Sequence, residues 1–552
     1  MGIKYFYKWF KDSFPESVTK CNFNDKKLLD IPCVQNTSNS YPFLLLLDLN
    51  GIIHLSCQKI YKYGSFKSKC LLKKNDCSVD LGPDKIDQNK LVFEDVLKNI
   101  EYLINIVNPE ELVLCIDGVA PLSKQIQQRQ RRFLNKVAIN VFDSNCISPG
   151  TEFLYELGLY LKLCIEKKME TEWLNVKTVH FMDSLVPGEG EHKLFDFLRL
   201  NQSDKKFNVV IHGNDADLVV LSLITCINFD KTMLYILRED VVSKKYNYNL
   251  ICLNTVKNCI LNVAKNKPKF QDQFQDYIIY DFVILSFLVG NDFLPSIPLF
   301  NIYDGGLDLL IKHYFTQSTY LSFKEKGKLK INFKNLKDYF HHILYIINPI
   351  AIEHYKMRDN VYPNKLLNLT IEKTLQNIDK TTIHYLKAYS LHHNITKKIT
   401  QSYLKEMEWV LHYYVYGSTS INWKIYFPSQ YAPTSLDLVN YLTSNQYYAA
   451  TVNNECTYID PFFQLLCILP PHSSNLLPYP FDKILREDLK CFHPSKIEID
   501  YDGKLNDWEG IPILPPLDYD KVSKIYKDNI HLCSKKHLIR NKRSNQLMIT
   551  VF

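Results

Sequence analysis

An α/β fold built on a mainly parallel sheet flanked by helices is predicted for this 552-residue chain by three observations. Short apolar runs recur at 43–47 (FLLLL), 112–116 (LVLCI) and 208–212 (NVVIH), as expected of strands buried on both faces. A helical pattern, FEDVLKNIEYLINIV, separates the first two and stops at Asn108-Pro109. Strands that alternate with helices favour parallel pairing, and such sheets bind ligands beyond the carboxyl ends of their strands.

Each segment adds to this frame. The start, MGIKYFYKWFKD, is charged throughout, with neither an apolar signal core nor the hydroxyl residue of a myristoylation site. The polar stretch from Ser65 to Asn89 reads as a surface insertion. The most apolar stretch, YIIYDFVILSFLVGND, is interrupted by Asp281 and is too short to span a bilayer comfortably. Residues 313–400 are mostly helical in pattern, 401–435 are rich in Trp and Tyr, and 456–520 carry Pro-bounded segments. The last twenty residues include KKHLIRNKR, expected to be a solvated tail. No internal repeat is visible.

Composition bounds the function. With 46% hydrophobic and 23% charged residues, a large core is available, and the length suits three or four average domains. A net charge of +7 permits a polyanionic partner without requiring one. Fifteen cysteines without a CxxC pair exclude a zinc ribbon and read as reduced residues of an intracellular protein.

The chemistry lies in carboxylates at the ends of apolar segments: Asp48 in LLLLDLNG, Asp117 in LVLCIDG, Glu189 and Glu191 in PGEGEH, Asp215 and Asp217 in GNDADL, and Asp292 in LVGNDFLP. Any one of them has a plain structural reading, Asp217 as a helix cap and Glu189 or Glu191 as first-turn helix acids. Together they point to divalent metal, since buried negative charges need cations. Two Mg²⁺ ions roughly 3.5–4 Å apart would use such a set to hydrolyse a phosphate ester. Zinc fits less well, because no His or Cys cluster accompanies the acids.

Directly after Asp117 comes GVAPLSKQIQQRQRRF, in which Lys124, Gln128, Arg131 and Arg132 fall at i, i+4, i+7 and i+8 on one helical face. A solvated cationic face is the plain alternative. Beside a metal site, the same face suits a grip on a terminal phosphate.

These motifs resemble the XRN-type 5′→3′ exoribonucleases. The similar stretches include MGIKYFYKWFKDSFPESV, LLLLDLNGIIH, CIDGVAPLSKQIQQRQRRF, FDSNCISPGTEFLYEL, VPGEGEHKLFDFLR, GNDADLVVLSL, LREDV and DFVILSFLVGNDFLPSIP, with weaker likeness to about residue 520. The resemblance implies a nuclease core akin to PIN and flap-endonuclease folds over 1–312 and a helical connection over 313–400. A second conserved region over 401–520 would close the site, followed by a basic tail over 521–552. It implies that the seven acids hold two Mg²⁺ ions, for which Mn²⁺ can substitute, and that Lys124, Gln128, Arg131 and Arg132 hold a 5′-monophosphate.

His54, in GIIH, and Trp423, in INWKIYF, would stack on bases of the single-stranded RNA substrate. The implied activity is processive release of nucleoside 5′-monophosphates, by a monomer in the cytoplasm rather than the nucleus, with no membrane and no identified protein partner. Departures are Gln130 where the family has glycine, Asn214 where it has leucine, FPSQYAP without the usual His, and an enlarged spacer between Asp48 and Asp117. The family's long C-terminal modules are expected to be absent. A 5′ nuclease acting on DNA flaps, or an inactive RNA-binding scaffold, stays open as an alternative.

Overall fold

The computed structural model describes residues 3–23, 26–37, 41–64, 87–134, 142–201, 207–229, 232–240, 247–265, 267, 274–357, 362–374, 377–444 and 458–550. The insertion expected at 65–89 lies outside them up to residue 86.

Along the first half run α1 (Phe6–Ser13), β1 (Val18–Asn22), β2 (Phe43–Asp48), α2 (Leu49–Tyr61), α3 (Gln88–Val107), β3 (Glu111–Cys115), α4 (Leu122–Leu134), β4 (Thr178–Met182), α5 (Gly190–Leu200), β5 (Asn208–His212), α6 (Asp217–Asn228), β6 (Leu234–Glu239), β7 (Asn247–Cys252) and α7 (Gln275–Leu288). The helical pattern before Asn108-Pro109 is α3. Its amino end is capped by the Asp87 carboxylate, and it ends on Asn108 in the left-handed conformation, φ 52°.

Five parallel strands, in the order β6-β5-β2-β3-β4, form the middle of an eight-stranded sheet. Strand β2 alternates as a two-sided strand must. Leu44 and Leu46 join one core with α5, α6 and α7, while Leu45 and Leu47 join the other with α2 and α3. Both faces being apolar, a one-residue slip would cost little in burial. It would, however, drive Asp48 into the sheet, a penalty of several kcal/mol for an unpaired carboxylate. The acid at the strand end therefore opposes a slip inward, and it stands opposite Cys115.

From β2 the chain steps to β3 and β4 on one side, then crosses to β5 and β6 on the other. The carboxyl ends of β2, β3 and β5 thus border a topological switch point, where a crevice opens. The margins are antiparallel: β7 on β6, β1 on β7, and β12 (Leu547–Thr550) on β4.

The second half is mainly helical, as expected, but three details differ from the sequence reading. A hairpin of β8 (Ser322–Glu325) and β9 (Lys328–Ile331) interrupts the segment expected to be helical. Helix α8 (Lys397–Tyr416) runs through the junction expected at 400/401, ahead of α9 (Pro461–Ile468) and the short pair β10 (Glu498–Asp500) and β11 (Ile511–Ile513).

The basic carboxyl end is not a solvated tail. It folds through short helical turns at Lys535–Asn541, donates from Ser544 N to Leu185 O (3.1 Å) and ends as β12 in the main sheet. The run LMIT that forms β12 is too short to read as a strand beside so many charges. Among the described residues no helix is long and apolar enough to cross a membrane, and no disulfide joins the cysteines.

Candidate active site

Asp48, Asp117 and the GEGEH segment are tied together by hydrogen bonds that pass through Asn50. The Asp48 carboxylate caps α2 by accepting from Asn50 N (3.2 Å), and Asn50 Oδ1 accepts from Asp117 N (3.2 Å). The Asp117 carboxylate in turn accepts from Gly190 N (2.6 Å). A side chain at position 190 would place its Cβ 2.5 Å from Asp48 Oδ1, so only glycine allows this approach. Asp48 is thus a helix cap, which is compatible with a site because the cap uses only one carboxylate oxygen.

The other acids close around the same point. Asp217 sits in the first turn of α6 and accepts from Ile3 N (3.3 Å). Asp292 accepts from Lys124 Nζ (2.7 Å) and Gln127 Nε2 (3.3 Å). Lys124 also pairs directly with Glu189 and lies 4.0 Å from Glu191. Tyr413, from α8, donates to Glu189 Oε1 (3.4 Å).

All seven predicted acids interact electrostatically in one cluster. Burial pushes Asp48 well above the usual carboxylate range, and the charges of Asp117 and Asp215 add to it. Glu191 is raised for the same reason, burial first, with Lys124 opposing it and Asp215, Glu189 and Asp217 adding to it. Burial lifts Glu189 to about 7 against the pull of Lys124, and lifts Asp217 to about 7 with Asp292 beside it. Asp292 is also buried, but the Lys124 ammonium holds it below the usual range. Lys124 keeps its charge despite burial because Asp292, Glu189 and Glu191 surround it.

This donor set fits hard divalent cations. It consists of carboxylate oxygens alone, crowded so that several cannot ionise without added positive charge. Glu191 Oε2 is buried with no hydrogen-bond partner among the described residues, an acceptor that a cation would satisfy. Among the described residues no three acids, histidines or cysteines are arranged so as to hold a metal ion. Lys124 Nζ lies among three of the acids instead.

The rest of the basic row has different surroundings. Gln128 accepts from Gln464 Nε2 (3.4 Å), a residue of α9 whose Oε1 also receives Ala120 N (2.8 Å). Arg132 is buried, donating to Ser148 Oγ (2.7 Å) and to Gln128 O (3.3 Å), and burial together with Arg131 lowers it to about 9. Arg131 has no carboxylate partner among the described residues. His54 lies within the field of both arginines. Burial, then those two charges, bring its imidazole to about 4, so it is neutral near pH 7.

The expected stacking role of Trp423 is corrected. Its side chain is 0% exposed, its indole N–H donates to Ser418 O (2.9 Å), and Tyr458 packs edge-on against it at 4.8 Å. No ring face is open to a base, so Trp423 is a core residue.

Several site residues escaped sequence reasoning. Asn50 and Lys193 lie inside quoted motifs. Lys193 is buried and donates to Ile116 O (2.7 Å) and Asp183 O (2.9 Å), joining the ends of β3 and β4. Tyr413 and Gln464 arrive from hundreds of residues away, with no local signal.

Two family profiles match the chain. A profile described as the XRN 5′-3′ exonuclease N-terminus matches residues 1–140 and 135–240, and one described as the Xrn1 helical domain matches residues 272–387 and 383–551. The chain is 26% identical over 645 residues to 5′-3′ exoribonuclease 1 of Homo sapiens, covering 99% of this chain and 35% of that protein. It is 24% identical over 700 residues to the 5′-3′ exoribonuclease 2 homolog of Drosophila melanogaster, covering 99% and 73%. It is also 24% identical over 722 residues to 5′-3′ exoribonuclease 1 of Saccharomyces cerevisiae, covering 99% and 44%. The chain therefore spans about a third of the human relative and under half of the yeast one. A solved structure, the catalytic core of Rad2 in complex with DNA substrate, overlaps 68% of this chain and 80% of that chain at 12% identity, with a TM-score of 0.32, a loose likeness.

Proposed function

The chain belongs to the XRN 5′-3′ exonuclease family, and from that premise we propose that it is a metal-dependent 5′→3′ exoribonuclease acting on single-stranded RNA that carries a 5′-monophosphate. One observation carries the reading: Lys124 pairs with the acid cluster and also opens the row that ends in Arg131 and Arg132. A phosphate grip and a hydrolytic centre are then adjacent on one helix.

In this reading Asp48, Asp117, Glu189, Glu191, Asp215, Asp217 and Asp292 hold two Mg²⁺ ions. When bound, these would polarise the phosphodiester and supply an ionised water near neutral pH. Arg131 and Arg132 offer planar donors that match the oxygens of a terminal phosphate, with Gln128 and Lys124 beside them. Arg132 is held in place by Ser148, so little ordering entropy would be lost on binding. A pocket lined by charged donors and closed by packed side chains would favour a single phosphate over a triphosphate. Neutral His54, next to the arginines, presents a ring to the first base rather than a third cation. Release of one nucleoside 5′-monophosphate per cycle, without letting go of the strand, is the expected outcome.

The reading is tested with RNAs of one sequence bearing 5′-monophosphate, 5′-triphosphate or 5′-hydroxyl ends, each with Mg²⁺ or with EDTA. Rapid decay of the monophosphorylated RNA alone, stopped by EDTA, is expected. Equal decay of all three ends, or decay indifferent to EDTA, would sink it. A DNA flap cut faster than RNA would move the assignment to a DNA 5′ nuclease.

A further inference from the structure

Tyr5, the residue before α1, sits in the left-handed conformation at φ 61°, a costly geometry for a side chain of this size. Its surroundings hold it there. The Tyr5 hydroxyl accepts from Asn506 Nδ2 (2.7 Å), and its ring lies 5.6 Å from Trp508 and 5.7 Å from Tyr303. Trp508 and Tyr303 are 57% and 55% exposed, which is unusual for contiguous large rings.

Two lysines flank the cluster, with Lys4 Nζ 5.7 Å from the Trp508 ring and Lys8 Nζ 5.8 Å from the Tyr303 ring. The nearby acids are already engaged. Asp507 receives the Tyr362 hydroxyl (2.5 Å), and Glu509 receives Leu505 N and Asn506 N (both 2.9 Å). The turn that carries Trp508 is thus fixed from within, and its exposed ring is not a loose end.

This cluster is continuous with the candidate active site. A cavity of about 1440 Å³ has Lys4 and Trp508 among its lining residues and also Gln127, Arg238 and Asp292. That volume exceeds the roughly 300–1,000 Å³ of pockets that hold small molecules, and suits a polymer better. Arg238, stacked 4.1 Å over Tyr7, supplies a cation along the way.

We propose that Tyr5, Tyr303 and Trp508, with Lys4 and Lys8, form a stacking platform for bases of the RNA strand 3′ of the scissile bond. Stacking on a ring face reads no hydrogen-bonding edge of the base and so accepts any base, as an enzyme that travels along a strand requires, while the lysines meet the passing phosphates. The platform rests on the exoribonuclease reading, and it adds a distant hold that favours long strands over short ones.

The test compares kcat/KM for a 5′-monophosphorylated tetranucleotide with that for an unstructured strand of about thirty nucleotides. In Trp508→Ala the preference for the long strand should fall about tenfold, the loss of one stacked base. Trp508→Phe should restore most of it, and Tyr303→Ala should lower it in the same direction. An unchanged preference in Trp508→Ala, or no recovery in Trp508→Phe, overturns the platform. If the wild-type protein proves not to cut RNA, binding of the same long strand with a 5′-hydroxyl, read by fluorescence anisotropy, decides separately. Weakening of about tenfold in Trp508→Ala upholds the platform, and equal affinity overturns it.

Discussion

The two ends of helix α4 present the same kind of side chain to opposite electrostatic surroundings. At its start Lys124 is buried among Glu189, Glu191 and Asp292, its charge balanced by the protein itself. At its end Arg131 and Arg132 face a neutral His54 and a serine and form no direct ion pair among the described residues, with Asp117, Asp143 and Asp215 acting on them only from beyond salt-bridge distance. A row that reads as one basic face is therefore divided in its work. One end neutralises the acids, and the other keeps positive charge in reserve for an anion from outside.

The largest effect should come from the acids. Asp215→Ala is expected to lower single-turnover cleavage on the order of a thousandfold while leaving RNA affinity nearly intact. Such a split follows if the acids act on the reacting phosphate and the arginines carry the binding. Affinity that falls together with rate would erase the distinction between the two ends.

Lys124→Met and Arg131→Ala sharpen the comparison directly. Removing Lys124 leaves three buried carboxylates without their counter-ion, which should cost about 3–5 kcal/mol in the metal-free protein. Added Mg²⁺ should return more stability to this variant than to the wild type, as read by denaturant midpoints with and without the ion. Arg131→Ala should scarcely change those midpoints. Instead it should reduce the preference for a 5′-monophosphate over a 5′-hydroxyl end by about tenfold, one charge-assisted hydrogen bond. Equal stability losses in the two variants would mean that both ends of α4 are structural.

How much of this was legible in the sequence depended on distance along the chain. Strands β2, β3 and β5 and the acids that follow them were readable because a strand buried on both faces is a short apolar run, and an acid at its end has few other reasons to be there. The row Lys124, Gln128, Arg131 and Arg132 was readable as a face, but not as two environments, since helical spacing says nothing of what packs opposite. Trp423 was misjudged because an indole has the same chemistry whether it stacks on a base or fills a core, and only its burial tells them apart. Tyr413 and Gln464 were invisible because their contacts cross more than two hundred residues. Strand β12 was hidden by the basic cluster ahead of it and by its own brevity.

The effect confined to pH belongs to Glu406, where the helical region meets α4. This carboxyl is wholly buried and bonded to the Ser123 hydroxyl and, unlike Glu189, has no ion pair among the described residues, Lys405 opposing its burial only as the last of the causes. Burial raises it to about 8 from an ordinary 4.5, the Ser123 hydrogen bond only partly opposing this. Between those values the folded protein holds a proton that the unfolded chain has released, so its stability falls as pH rises through the window. The slope contributed by this group is at most about 1.4 kcal/mol per pH unit. Glu406→Gln keeps an oxygen for the serine and removes the titration, so the variant should gain on the wild type steadily from pH 5 to pH 8 in denaturant midpoints. Parallel curves would show that Glu406 is charged in the fold, and that the helical region presents α4 with a second anionic surface rather than a neutral one.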